Sequence, residues 1–185
     1  MATIDLPNNI LEALSTVLQQ LQQSLPEVKQ APDFSAIAFK WENGELKPIH
    51  QLKRIELNDL KGIERQKEKV LQNTEQFLNG LPANDVLLTG SRGTGKSSIV
   101  RALLTEYAEQ GLRLIEIERD DLSELPEIQK LIAKRPEKFI VYCDDLAFNA
   151  EDENYRSLKS VLDGSLQSGS SNFIIYATSN RRHLL

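Results

Sequence analysis

Cysteine is almost absent: Cys143 is the only one in 185 residues. That excludes an internal disulfide and a cysteine-rich zinc site, and it fits a reducing compartment. No apolar run is long enough to span a bilayer. The segment Met1 to Asn9 is acidic and polar, without the basic–apolar–small order of a signal peptide. Positive charge is also in deficit. Lys and Arg number 22 against 27 Asp and Glu, a formal net charge of −5, so the chain as a whole offers no basic surface for nucleic acid and leaves room only for a local patch. Charged residues at 26% and hydrophobic ones at 40% are ordinary for a soluble globular protein. A cytoplasmic location is expected, and the length suits one α/β domain with a small extension.

What is present is concentrated in one segment. Residues 86–98 read Val-Leu-Leu-Thr-Gly-Ser-Arg-Gly-Thr-Gly-Lys-Ser-Ser. From Gly90 they fit G-x-x-x-x-G-K-[ST], a phosphate-binding loop between an apolar run and a helix-like stretch. Gly90, Gly93 and Gly95 carry no Cβ and accept positive φ. With Ser91, Arg92 and Thr94 between them, they can turn backbone N–H groups inward around a phosphate. Lys96 supplies a mobile cation for the β- and γ-phosphates, and the Ser97 hydroxyl is placed to hold Mg²⁺. The helix through Ser98, Ile99, Val100 and Leu103 aims its positive dipole end at the anion. A merely Gly-rich surface loop seldom combines this spacing with a Lys-Ser pair and an apolar strand in front. A dinucleotide loop is disfavoured, because Ser98 replaces its third glycine. The segment predicts a nucleoside triphosphate site.

Around it the chain divides into two zones, residues 1–56 and 57–185. In the first, Ile10, Leu11, Leu14, Val17, Leu18, Leu21 and Leu25 recur at spacings of three and four, describing one face of a helix. Asn8 or Asn9 would cap it and Pro26 would end it. Residues 36–41 and 45–49 flank Asn43-Gly44, a hairpin signal. The second zone alternates helices and strands. Helices are expected over 63–78, 97–109, 126–133 and 154–162, and strands over 86–89, 112–117, 139–142 and 173–177. Apolar strands separated by helices imply a parallel sheet covered on both faces, with the loops after the strands gathered at one edge.

A Mg–nucleotide site needs a carboxylate at the end of a neighbouring strand. Phe139-Ile140-Val141-Tyr142-Cys143-Asp144-Asp145 is an apolar run ending in two. Asp144 is the better candidate for the metal shell, and Asp145 is placed to orient or deprotonate an attacking water. The other acidic pair, Asp120-Asp121, reads as a solvated loop, and Cys143 as a small buried residue. At the end of the fourth strand, Asn180 or Thr178 could reach the γ-phosphate or the water. An Asn there that merely turns the chain fits equally well.

Together these residues carry a resemblance. Gly90-Ser91-Arg92-Gly93-Thr94-Gly95-Lys96-Ser97, Cys143-Asp144-Asp145 and Ala177-Thr178-Ser179-Asn180 resemble the Walker A, Walker B and sensor-1 elements of the AAA+ ATPases. Leu60-Lys61-Gly62-Ile63-Glu64-Arg65-Gln66 is similar to the segment that precedes Walker A there and packs on the adenine, implying a pocket at Leu60, Gly62 and Ile63. More narrowly, residues 57–185 resemble a bacterial AAA+ family of unknown physiological function. The resemblance implies a P-loop three-layer α/β sandwich with a mostly parallel sheet, ATP rather than GTP, Mg²⁺, and a nucleotide face shared between neighbouring subunits of a homo-oligomer. It selects Asn180 as the residue at the γ-phosphate.

Two departures bear on activity. AAA+ proteins usually carry Glu after the Walker-B Asp, and Asp145 is one methylene shorter, so slow hydrolysis is expected. The chain also ends at Leu185, and the fifth strand, arginine finger and helical lid of the superfamily are not found in it. A truncated chain with weak or no turnover is therefore expected. Arg181 and Arg182 read as a solvated pair or as groups facing a neighbouring site. Three rivals to an ATPase remain. A nucleotide-gated binding or loader module needs only the loop. A small-molecule kinase would bring an arginine-rich lid, which is not found. A GTPase would need an Asn-Lys-x-Asp guanine reader, and none follows any strand. Lys61, Arg65, Lys67 and Lys69 alternate with Glu64 and Glu68, the pattern of a solvated helix face, with nucleic-acid binding by this helix left as the alternative. No residue here selects a protein partner.

Overall fold

The computed structural model describes residues 7–24, 32–146 and 172–180. Two compact units divide at residues 31 and 32. In the first, helix α1 (Asn8–Ser24) realises the expected three-four spacing, and Ile10, Leu14, Val17 and Leu18 are exposed along it. The expected helix over 154–162 and the Arg181–Arg182 pair lie outside the described residues.

The second unit is built on a six-stranded sheet. Its strands are β1 (Ala38–Glu42), β2 (Glu45–Pro48), β3 (Val86–Thr89), β4 (Leu112–Ile117), β5 (Lys138–Cys143) and β6 (Phe173–Ser179), in the order β2-β1-β4-β5-β6-β3. Only β1 and β2 are antiparallel. Asn43 and Gly44 between them take φ of 54° and 74°, the left-handed pair that a two-residue hairpin requires. All other neighbours are parallel.

The hairpin holds a correction to the boundary expected at residue 56. It is no separate extension: β1 is in parallel register with β4, Ala38 opposite Leu114 and Lys40 opposite Glu116. The reason is burial. Ala38, Phe39 and Trp41 are at most 1% exposed. Burying Phe39 alone stabilises the fold by about 1.5–3 kcal/mol, and pairing with β4 brings it into the core shared with Ile115, Phe139 and Phe34. The Trp41 indole N–H also donates to Glu124 at 2.6 Å.

Alternation along the strands makes two cores, one on each face. Ile115, Ile117, Phe139, Val141, Phe173 and Ile175 meet α4 (Leu125–Ile132) through Leu125, Ile128 and Ile132. On the other face, Leu112, Leu114, Ile140, Ile174 and Tyr176 meet α2 (Glu64–Leu78) and α3 (Lys96–Tyr107). This is a three-layer α/β arrangement, helices on both faces of a mostly parallel sheet. Asp120 and Asp121, expected in an open loop, lie in a 3₁₀ segment (Arg119–Glu124) pinned by buried Leu122.

One polar knot crosses the α2 face. The Thr74 hydroxyl, fully buried, donates to Val70 O at 2.8 Å and lies 2.8 Å from the Tyr176 hydroxyl. Asn73 Nδ2 donates to Tyr176 at 3.0 Å and to Asn84 O at 2.8 Å. Helix α2 is thereby bolted to β6 and to the chain entering β3. Tyr176→Phe should cost about 1 kcal/mol, because Thr74 and Asn73 each keep another partner. Urea unfolding checks this: the midpoint should fall with an unchanged slope.

Candidate functional site

The loop from Gly90 to Gly95 joins β3 to α3, so it lies at the C-terminal edge of the sheet. Its glycines hold φ of 154° (Gly90), 80° (Gly93) and 84° (Gly95), and those of Gly93 and Gly95 lie where a Cβ is strained. Gly95 precedes the first turn of α3 and no side chain caps that turn, leaving its N–H groups open to an anion. The Lys96 ammonium donates to Gly90 O at 2.8 Å, Ser91 O at 2.9 Å and Asn180 Oδ1 at 3.0 Å. Thr94 closes the turn by donating to Ser91 O at 2.8 Å. Ser91 and Arg92 are exposed, and Ser98 is half-buried one residue beyond Ser97.

Strand β6 lies between β3 and β5, so the loop and Asp144 face each other across the end of β6. The Ser97 hydroxyl spans the gap and donates to Asp144 Oδ1 at 3.0 Å. The same oxygen accepts the Tyr142 hydroxyl at 2.8 Å, the Asp145 N–H at 3.1 Å and the Thr178 hydroxyl in a short contact. Asp145 sits at φ 52°, and its N–H is shared with Thr178 Oγ1 at 3.0 Å. Asn180 Nδ2 donates to Asp145 Oδ1 at 2.7 Å. Lys96, Asn180 and Asp145 thus form a continuous chain from the loop to the end of β5.

Electrostatics follow from these contacts. Partial desolvation pushes the Asp144 carboxyl up, but the bonds from Thr178, Tyr142, Ser97 and the Asp145 N–H outweigh it and hold the group below the usual carboxylate range. It is a carboxylate at any working pH. Burial, helped by Asp144, pushes the Cys143 thiol up to about 12, which makes it an inert core residue. Burial first, and the Asp144 carboxylate with it, also raises the Tyr142 phenol.

A cleft of about 410 Å³ opens beside the loop, lined by Leu60, Lys61, Gly62, Ile63, Gly93 and Gly95 among others. The Ile63 side chain lies 3.4 Å from where a Cβ on Gly95 would stand. The turn before α2 is held by Lys67, whose ammonium donates to Leu57 O at 3.0 Å. Lys67, expected on a solvated face, thus shapes this wall.

The geometry brings together Gly90 to Ser97, Asp144, Asp145 and Asn180, and sets Leu60, Gly62 and Ile63 along the adjoining cleft. Thr178 bonds the two aspartates. The residue missed is Tyr142. Its signal was period-two alternation, which places it on the face of Asp144. As a fit for Mg²⁺, the hard oxygen donors Ser97 and Asp144 suit the ion. Among the described residues no three His, Cys, Asp or Glu side chains form a metal cluster, so phosphate oxygens and water would complete its shell.

Comparison with known proteins bears on the fold and the family. Over 52 residues the chain is 36% identical to the replication factor C large subunit of Methanococcus maripaludis (strain C7 / ATCC BAA-1331), covering 28% of this chain and 11% of that protein. The Aeropyrum pernix Orc1 protein, solved in complex with DNA, is similar with a TM-score of 0.52 at 13% identity, over 65% of this chain and 39% of that one. Trip13 from Rhizobiales gives 0.49 at 13% identity, over 70% and 58%. This chain therefore spans well under half the length of the first two, and the likeness to Orc1 is one of fold alone. A family model described as "Protein of unknown function (DUF815)" matches residues 34–185, which take in the hairpin, the loop and both aspartates, and the chain belongs to that family.

Proposed function

We propose that this chain is the Mg–ATP-binding core of an AAA+ ATPase, in which ATP binding and hydrolysis drive a partner or an assembly. The observation that supports it most is the 3.0 Å hydrogen bond from Ser97 to Asp144, which joins a phosphate loop to a strand-end carboxylate. Lys96 would exchange its loop carbonyls for the β- and γ-phosphates, and the open first turn of α3 would receive their charge. Ser97 and Asp144 would hold the Mg²⁺, which when bound neutralises charge on the phosphates. Asp145 would orient and deprotonate the lytic water, with Asn180 fixing its carboxylate and reaching the γ-phosphate. Leu60, Gly62 and Ile63 would seat the adenine. A nucleotide face shared between subunits of a homo-oligomer, in a cytoplasmic setting, completes the reading.

One observation favours a second reading, a nucleotide-gated binding or loader module with little turnover. Asp145 is short, and its carboxylate is already engaged by Asn180, which is itself tied to Lys96.

Melting curves test binding. Saturation with Mg–ATP at about 100 times its dissociation constant should stabilise the fold by about 2.7 kcal/mol, a rise of several degrees. Mg–ADP should also act, Mg–GTP should not, and Lys96→Ala should abolish the shift. An unshifted midpoint in the folded protein would refute an ATP site. Steady-state phosphate release separates the two readings. Asp145→Asn should lower turnover by about 10²-fold while leaving the ATP-dependent melting shift intact. Binding without turnover in the wild type would favour the gated module.

Gly93→Ala tests the loop itself. A Cβ there meets nothing within 4 Å, so the cost is backbone strain alone, about 1–2 kcal/mol by urea unfolding. An unchanged midpoint would mean that the loop does not hold this conformation.

A further inference from the structure

We propose that Tyr142 is a positioning residue for the metal site, clamping Asp144 by one oxygen so that the other is kept for the divalent ion. The proposal rests on the Mg–ATP reading above and assigns it a residue outside the phosphate loop and the acidic pair. Four donors converge on Asp144 Oδ1: the hydroxyls of Ser97, Tyr142 and Thr178 and the N–H of Asp145. None of these falls on Oδ2. An Asp carboxylate otherwise turns in a broad, two-fold torsional well, and donors fixed on one oxygen remove that freedom before any ion arrives.

Tyr142 is suited to this role by its place in the strand. It is 2% exposed and lies two residues before Asp144, which directly follows β5. Its partners across the sheet are Glu116 on β4 and Tyr176 on β6. With Lys40, Arg101, Glu116, Glu118 and Asp144 it also lines a cavity of about 250 Å³. Phenylalanine would fill the same volume. The hydroxyl is therefore the part of this side chain that packing does not explain. The other two hydroxyls have further duties: Ser97 is itself a candidate ligand, and Thr178 Oγ1 also receives the Asp145 N–H.

The alternative is that a buried phenol merely satisfies its own hydroxyl. The two differ in metal dependence. Partners of metal-binding side chains typically change metal affinity by about 10- to 100-fold when removed, whereas a packing role leaves it alone. The experiment is a titration of the full chain with a fluorescent ATP analogue over a range of Mg²⁺ and, separately, Mn²⁺ concentrations, with an EDTA arm. In Tyr142→Phe the metal concentration for half-maximal nucleotide binding should rise by about 10-fold. Affinity in EDTA should stay near wild type, and the unliganded protein should melt only a few degrees lower, the cost of one buried hydrogen bond. Thr178→Ser, which keeps the hydroxyl, should retain the wild-type metal midpoint. Thr178→Val removes a second donor to the same oxygen and should shift the midpoint as Tyr142→Phe does, which keeps the test open if one variant does not fold.

An unchanged midpoint in a folded Tyr142→Phe, or equal weakening with and without metal, would overturn the clamp while leaving the Mg–ATP site standing. A wild type that binds no nucleotide at any metal concentration would overturn the Mg–ATP reading, and the clamp with it.

Discussion

A single carboxylate oxygen, Oδ1 of Asp144, ties together the parts of this molecule that carry chemistry. Hydroxyls from α3, β5 and β6 meet on it, through Ser97, Tyr142 and Thr178. The arrangement depends on strand order. Because β6 separates β3 from β5, the loop after β3 and the acidic end of β5 are not neighbours, and side chains reaching over the end of β6 join them. Any change that shifted β6 by one residue would turn Thr178 away from both aspartates.

The rest of the fold holds that edge in place. Period-two alternation gives β4, β5 and β6 one row of apolar side chains toward α2 and α3 and another toward α4. The two cores brace the sheet from both sides. Buried polar groups serve the same end. The Tyr176–Thr74–Asn73 knot fixes α2, and Tyr107 reaches from α3 to Glu75 on α2 at 2.8 Å. Helix α3 is thereby fixed behind the loop, and the cleft at Leu60 to Ile63 is held beside it.

Much of this was legible in the sequence because it is local. The glycine spacing before Lys96 specifies a loop, Pro126 specifies the first turn of α4, and Asn43-Gly44 specifies a hairpin. What was not legible is non-local pairing. Nothing in residues 38–42 states that β1 will lie beside β4, since that choice is made by the cover available to Phe39 and Trp41. Tyr142 was hidden for a different reason: within an apolar run it reads as core, and only its hydroxyl's partner reveals another role. Lys67 was likewise read from its charge pattern, while the backbone carbonyls it binds belong to a turn that no periodicity describes.

The loop, Asp144 and the end of β6 are proposed to act as one nucleotide site. The most direct test is hydrogen–deuterium exchange of the full chain with and without saturating Mg–ATP, which reports amide protection peptide by peptide. Exchange should slow in segments 90–98, 144–146 and 178–180 together, while the hairpin over 38–48 keeps its unliganded rate. Protection that appears elsewhere, or that spares residues 90–98 when ATP is bound, would contradict the assignment.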